Sequence, residues 1–140
     1  MKLLAIATSA LALAASVVAQ PEALRFGTVS INPTTVKLGE AFTVHYNGTY
    51  AMWPPAFVDF YVQGTDHPNN FVQPQFLLAR MSFPPTNNVR DVTFNTSLPN
   101  PSIVPNATYL VWAQVTYPID QSTHSAFEYG GTSTTINIVS

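Results

Sequence analysis

All twelve prolines of this 140-residue chain fall between Pro21 and Pro118, at intervals that would interrupt helices. Proline lacks a backbone donor and clashes with the preceding turn, so a helix interior excludes it. Past Gln20 no 3.6-residue periodicity is sustained, and β-branched and aromatic runs alternate with polar residues between Pro, Asn and Gly clusters. Such alternation buries one face of a strand and leaves the other in water. The runs predict strands over 25–32, 41–47, 57–63, 75–83, 89–97, 108–117 and 132–139.

Seven short strands at this spacing suit an all-β Greek-key sandwich of the immunoglobulin or fibronectin type. The same alternation sends Phe42, Val44, Tyr46, Val58, Phe60, Val62, Val92 and Phe94 inward, joined by Tyr109, Val111, Ala113, Val115, Ile136 and Ile138. Tyr109 follows a Pro105-Asn106 corner at the start of the sixth expected strand. That placement predicts a tyrosine corner, whose hydroxyl bonds back to the upstream backbone.

The first nineteen residues have a different logic. Met1-Lys2 is a short positive start, Leu3 to Val18 is an apolar run rich in Ala, and Val17-Val18-Ala19 places small residues before a cut. This is the pattern of a cleavable signal peptide, predicting a secreted single domain over 20–140. The rival reading is a transmembrane anchor. The run is no longer than the ~18–20 residues a span needs, and Pro21 follows without a basic cluster. No stable membrane anchor is expected.

Without Lys2, four basic residues (Arg25, Lys37, Arg80, Arg90) face seven acidic ones, a net charge of −3. Nucleic-acid affinity rests on clustered Lys and Arg, so nucleic acid is not an expected partner. The chain has no cysteine, and a domain of about 120 residues is large enough for an apolar core to suffice without disulfides.

The string Ile31-Asn32-Pro33-Thr34-Thr35-Val36-Lys37-Leu38-Gly39-Glu40-Ala41-Phe42-Thr43-Val44 resembles the opening of small secreted fungal β-sandwich proteins. The layout of Leu77 to Arg80, Asn95 to Pro99 and Thr135 to Ile138 is similar. Two groups share this rhythm, the Ig-like domain of Ser/Thr-rich cell-wall proteins and the necrosis-inducing effectors of plant-associated fungi. The effector resemblance implies a protein acting on a host surface or receptor without enzymatic turnover.

Catalytic chemistry finds little footing. The absence of cysteine removes thiol routes, and His45, His67 and His124 sit in separate segments without a metal-binding spacing. His124 and Glu128 are four apart, but Tyr117-Pro118 and Gly130-Gly131 bracket them as a long loop. A copper oxygenase would begin with histidine, whereas cleavage here leaves Gln20. A glycosidase needs two carboxyl groups ~5–9.5 Å apart, and Asp59, on an exposed face, and Asp120, in a loop, are not expected to be buried. No cofactor is implied.

Two surfaces remain as binding candidates, for a protein or a polysaccharide. Outward positions put Phe57 and Tyr61 beside Trp112 on neighbouring strands, a flat aromatic platform suited to stacking. The competing reading folds the strand carrying Phe76 and Leu78, or the N-terminal segment, across this face. The second candidate is the loop end, where Tyr50, Met52 and Trp53 would meet Phe127 and Tyr129. Its competitor is a local cluster in which Trp53 and Phe127 cap the core. Asn47, Asn95 and Asn106 open glycosylation sequons; a glycan on Asn47 would partly shield Trp53.

Together these features predict a secreted, non-enzymatic, effector-like interaction module that binds a host or cell-wall component. The alternatives are a structural cell-wall or matrix protein and a carbohydrate-active enzyme.

Overall fold

The computed structural model describes residues 24–51, 53–65, 75–84, 90–98, 103–104, 106–119 and 126–140. Residues 1–19, expected to be a signal peptide, and Met52 therefore lie outside the described residues, as do Asp66, His67, Asp120 and His124. Eight strands and no helix form among those described: β1 Thr28–Asn32, β2 Thr35–Lys37, β3 Ala41–Asn47, β4 Phe57–Gly64, β5 Phe76–Ser82, β6 Asp91–Ser97, β7 Ala107–Pro118 and β8 Phe127–Val139. They make two sheets, a three-stranded one in the order β1-β3-β6 and a five-stranded one in the order β2-β8-β7-β4-β5.

The all-β expectation stands, with eight strands in place of seven. The extra element is β2, three residues that pair in parallel with β8 through Thr35↔Asn137 and Lys37↔Val139. Pro33 separates it from β1 by denying the ladder a donor, and the chain changes sheet there. The second correction concerns residues 118–131. That segment was expected to be one long loop, but β8 begins at Phe127 and pairs without a break from Phe127↔Pro118 to Ile138↔Ala107. The glycine pair was taken for a loop signal, and it is a strand pair with a packing reason.

The two sheets meet through the inward positions. Val44, Tyr46, Val58, Phe60, Val62, Val111, Ala113 and Val115 have no solvent exposure, and each aliphatic or aromatic side chain fully buried in this way contributes about 1.5–3 kcal/mol. Phe60 bridges the sheets, edge-on to Tyr46 at 6.2 Å and to Phe94 at 4.9 Å between centroids. Val92 and Phe94, on the edge strand β6, are only half-buried.

Three tyrosines enter this apolar space, and each brings a partner for its hydroxyl. Tyr109 accepts from the Val104 amide at 2.8 Å and donates to the Val104 carbonyl at 3.3 Å, the expected corner. Tyr46 donates to the Phe26 carbonyl at 3.0 Å, and Tyr117 accepts from Arg25 Nε at 3.1 Å. The last two bonds tie Phe26 to β3 and Arg25 to β7, and the Arg25–Glu128 ion pair ties Arg25 to the start of β8. Phe26 lies over Gly130 there, where any Cβ would overlap its ring.

Candidate functional site

Register builds the outer face of the five-stranded sheet row by row. One row crosses Ser82, Phe57, Thr116 and Tyr129, the next Arg80, Asp59, Gln114 and Gly131, and the third Leu77, Tyr61, Trp112 and Ser133. Two rows with large rings thus flank a row of hydrogen-bonding groups. Tyr61 and Trp112 are direct cross-strand partners. A bulge between Phe60 and Tyr61 shifts the register with β5, so that Leu77 rather than Leu78 pairs with Tyr61.

The middle row carries the charge. Arg80 binds Asp59 in a fork, Nε to Oδ1 at 2.5 Å and Nη2 to Oδ2 at 2.7 Å. The guanidinium also lies 4.7 Å from the centroid of the Phe57 ring, an arrangement favoured by the ring quadrupole. The Asp59 side chain is 17% exposed and that of Arg80 58% exposed. Hydrogen bonding to Asp59, reinforced by its charge, raises the Arg80 pKa.

At the other end of that row, Gly131 makes space. A Cβ there would stand 3.2 Å from Trp112 Cε3, so the indole leans across the glycine towards the middle row. Trp112 is half-buried, and its Nε1 hydrogen is buried without an acceptor. An unsatisfied buried donor costs about 1–3 kcal/mol. The Tyr61 phenol is pushed up chiefly by burial, then by the Asp59 carboxylate and by Tyr129. Those three polar groups therefore share one neighbourhood.

The expected residues sort differently from their sequence grouping. Tyr129, assigned to the loop end, sits in β8 on the same face as Tyr61 and Trp112 and is 70% exposed. Phe127 is also a strand residue and is exposed. Trp53 is half-buried and packs against the core cluster, while Tyr50 is 74% exposed. Among the described residues neither element proposed to cover the face crosses it, and residues 20–23 of the N-terminal segment lie outside them. β5 hydrogen-bonds beside β4 in the same sheet, and Phe26 packs on the core side of β8 at Gly130. Sequence reasoning missed Arg80 and Gly131 as members of the site, because only register joins them to Asp59 and Trp112.

The sequon asparagines lie elsewhere. Asn47 and Asn95 are on the outer side of the three-stranded sheet, where Thr43 Oγ1 donates to Asn95 Oδ1 at 2.8 Å and the Thr49 amide to Asn47 Oδ1 at 2.8 Å. Asn106, exposed and at φ 60°, precedes β7 and accepts from the Ser140 amide.

No family model and no curated protein matches this chain. Among solved structures it is similar to the superoxide reductase (neelaredoxin) of Ignicoccus hospitalis, at 18% identity and a TM-score of 0.48 over 79% of this chain and 80% of that one. Two single-substitution variants of that protein give 17% identity, TM-score 0.48 and 84% of each chain, and 18%, 0.46 and 80% of each. These neighbours are neither effectors nor cell-wall proteins, and the expectation of a non-enzymatic, effector-like interaction module is withdrawn on that finding. A likeness of this degree transfers no activity to the present chain. Among the described residues, no three His, Cys, Asp or Glu side chains are grouped so as to hold a metal ion.

Proposed function

We propose that the outer face of the five-stranded sheet binds carbohydrate, with the rings of Tyr61, Trp112 and Tyr129 stacking on sugar rings. One observation carries this reading: two rows bearing large rings flank a polar row on the outer face of the sheet, where Tyr129 is 70% exposed and Tyr61 and Trp112 are half-buried. Sugar rings have apolar C–H faces and hydroxyls around their edge. Flat aromatic groups match the first, and the Asp59–Arg80 pair and Gln114 match the second. A protein partner fits less well, because the buried centres of protein interfaces are depleted of charge, whereas the centre of this face is an ion pair.

Two further features support the reading. Asn47 and Asn95 project from the opposite sheet, so glycans there would leave the aromatic rows clear. The strand order also supports the finer fold assignment, an immunoglobulin- or fibronectin-like Greek key. The proposal includes removal of residues 1–19 as a signal peptide, with Gln20 as the new N-terminus.

Isothermal titration of the protein against soluble polysaccharides tests the site. Wild type should bind at least one, and Trp112→Ala and Tyr129→Ala should weaken it while the far-ultraviolet spectrum is unchanged. Tyr129 is mostly exposed, so its variant reports on binding even if Trp112→Ala unfolds. Unchanged affinity in folded Tyr129→Ala, or in a folded triple variant with Tyr61→Ala, Trp112→Ala and Tyr129→Ala, would overturn the proposal.

A further inference from the structure

The identity of the sugar follows from two quantities on this face, the spacing of its rows and its charge. Phe57 and Tyr61 are four residues apart on β4 and Trp112 and Thr116 four apart on β7. At about 3.3 Å per residue the two rows with large rings are roughly 13 Å apart along the strands. That exceeds the width of one sugar ring. A single ring reaches one row, whereas a short chain of rings laid along the strands reaches both and passes over the middle row.

Charge excludes a class of chains. Within these three rows the only charged groups are Asp59 and Arg80. Their fork is closed and one to one, so the row presents no net charge to a ligand. Uronate or sulfate groups would have to compete with Asp59 for the guanidinium, and the neighbouring carboxylate would repel them. Neutral hydroxyls meet no such penalty and can use the donors of Arg80 that Asp59 leaves free, together with the Gln114 amide.

We infer that the ligand is an uncharged oligosaccharide of more than one hexose ring, lying along β4 and β7 across the Asp59–Arg80 pair and touching both aromatic rows. This rests on the carbohydrate reading above and names its ligand class. The two aromatic rows act as linked sites, the situation in which a second contact becomes intramolecular and affinity rises steeply with ligand length.

The test titrates the full protein with glucose and with β-linked gluco-oligosaccharides of increasing length, and separately with polygalacturonate and heparin, at low and high ionic strength. Affinity should rise at least about tenfold from the monosaccharide to the longest oligosaccharide, and added salt should leave it unchanged. Polygalacturonate and heparin should bind more weakly. Asp59→Asn, which frees Arg80, should gain binding to heparin that added salt removes. Equal affinity for short and long neutral ligands overturns the inference, as does tighter, salt-sensitive binding of an anionic chain by wild type. Those results leave the carbohydrate site standing. Failure of every saccharide to bind the folded wild type instead removes the underlying reading.

Discussion

The two outer faces of the sandwich arise from the same period-two alternation and are chemically unlike. The three-stranded sheet shows water Thr28, Ser30, Asn32, Thr93, Asn95 and Ser97, all small and polar, together with a His45–Asp91 contact at 3.5 Å. The five-stranded sheet carries Phe57, Tyr61, Trp112 and Tyr129 around an ion pair. Folding does not require the second arrangement, since the first sheet buries Phe42, Val44 and Tyr46 beneath small polar residues. The contrast teaches that alternation decides which side of a strand is outside, while the size of the outward residues distinguishes one outer side from the other and marks the face proposed to bind.

Substitutions that separate binding from stability break or sharpen this contrast. The largest effect is expected from Trp112→Ala, which should cost about 2 kcal/mol or more of ligand affinity, roughly thirtyfold in Kd by titration calorimetry. Equal loss from Ser30→Ala on the other face would erase the distinction.

The adjacent glycines of β8 test it from the two sides of one strand. Gly130→Ala forces a Cβ into the Phe26 ring, an overpacking expected to cost about 1–3 kcal/mol in thermal or urea unfolding with ligand affinity retained. Gly131→Ala meets only the edge of the Trp112 indole, at 3.2 Å. It should lower stability less and weaken binding severalfold by displacing that ring. The opposite pattern would reverse the assignment of faces.

Alkaline stability should depend most on the core side, where Tyr46 is fully buried. Burial pushes the Tyr46 phenol well above its ordinary pKa of 10.0, against a smaller lowering by Arg90. Above about pH 10 the unfolded chain loses this proton while the folded one keeps it, so the unfolded state binds fewer protons and stability falls as pH rises. The contribution is fully present below pH 10 and is lost through the raised folded value. Tyr46→Phe should flatten the drop in melting temperature between neutral and strongly alkaline pH. An unchanged drop would assign it to other groups.

The smallest effects belong to the polar face. Ser30→Ala and Thr93→Ala should each change stability by no more than about 0.5 kcal/mol in urea unfolding and leave saccharide titrations unaltered.

Much of the sandwich was legible because its signals are local. The inward set from Phe42 to Ile138 follows from alternation alone, and Tyr109 announces its corner by following Pro105-Asn106. β2 was not legible, because three residues carry no period and owe their strand conformation to β8 beside them. Gly130-Gly131 misled for a related reason. In isolation a glycine pair favours a turn, whereas here one glycine admits Phe26 from the core side and the other Trp112 from the outer side. That error also assigned Tyr129 and Phe127 to a loop.

By itself the sequence determined the strand-forming segments, the residues that face inward and the pairing of large rings with outward positions, because these depend on spacing along one chain. Only the tertiary structure decided that Tyr129 joins Tyr61 and Trp112, that Arg80 closes on Asp59, and that Trp53 packs on the core. Those outcomes depend on strand order and register. Both are set by how two sheets bury their inner faces together, a property that no single segment contains.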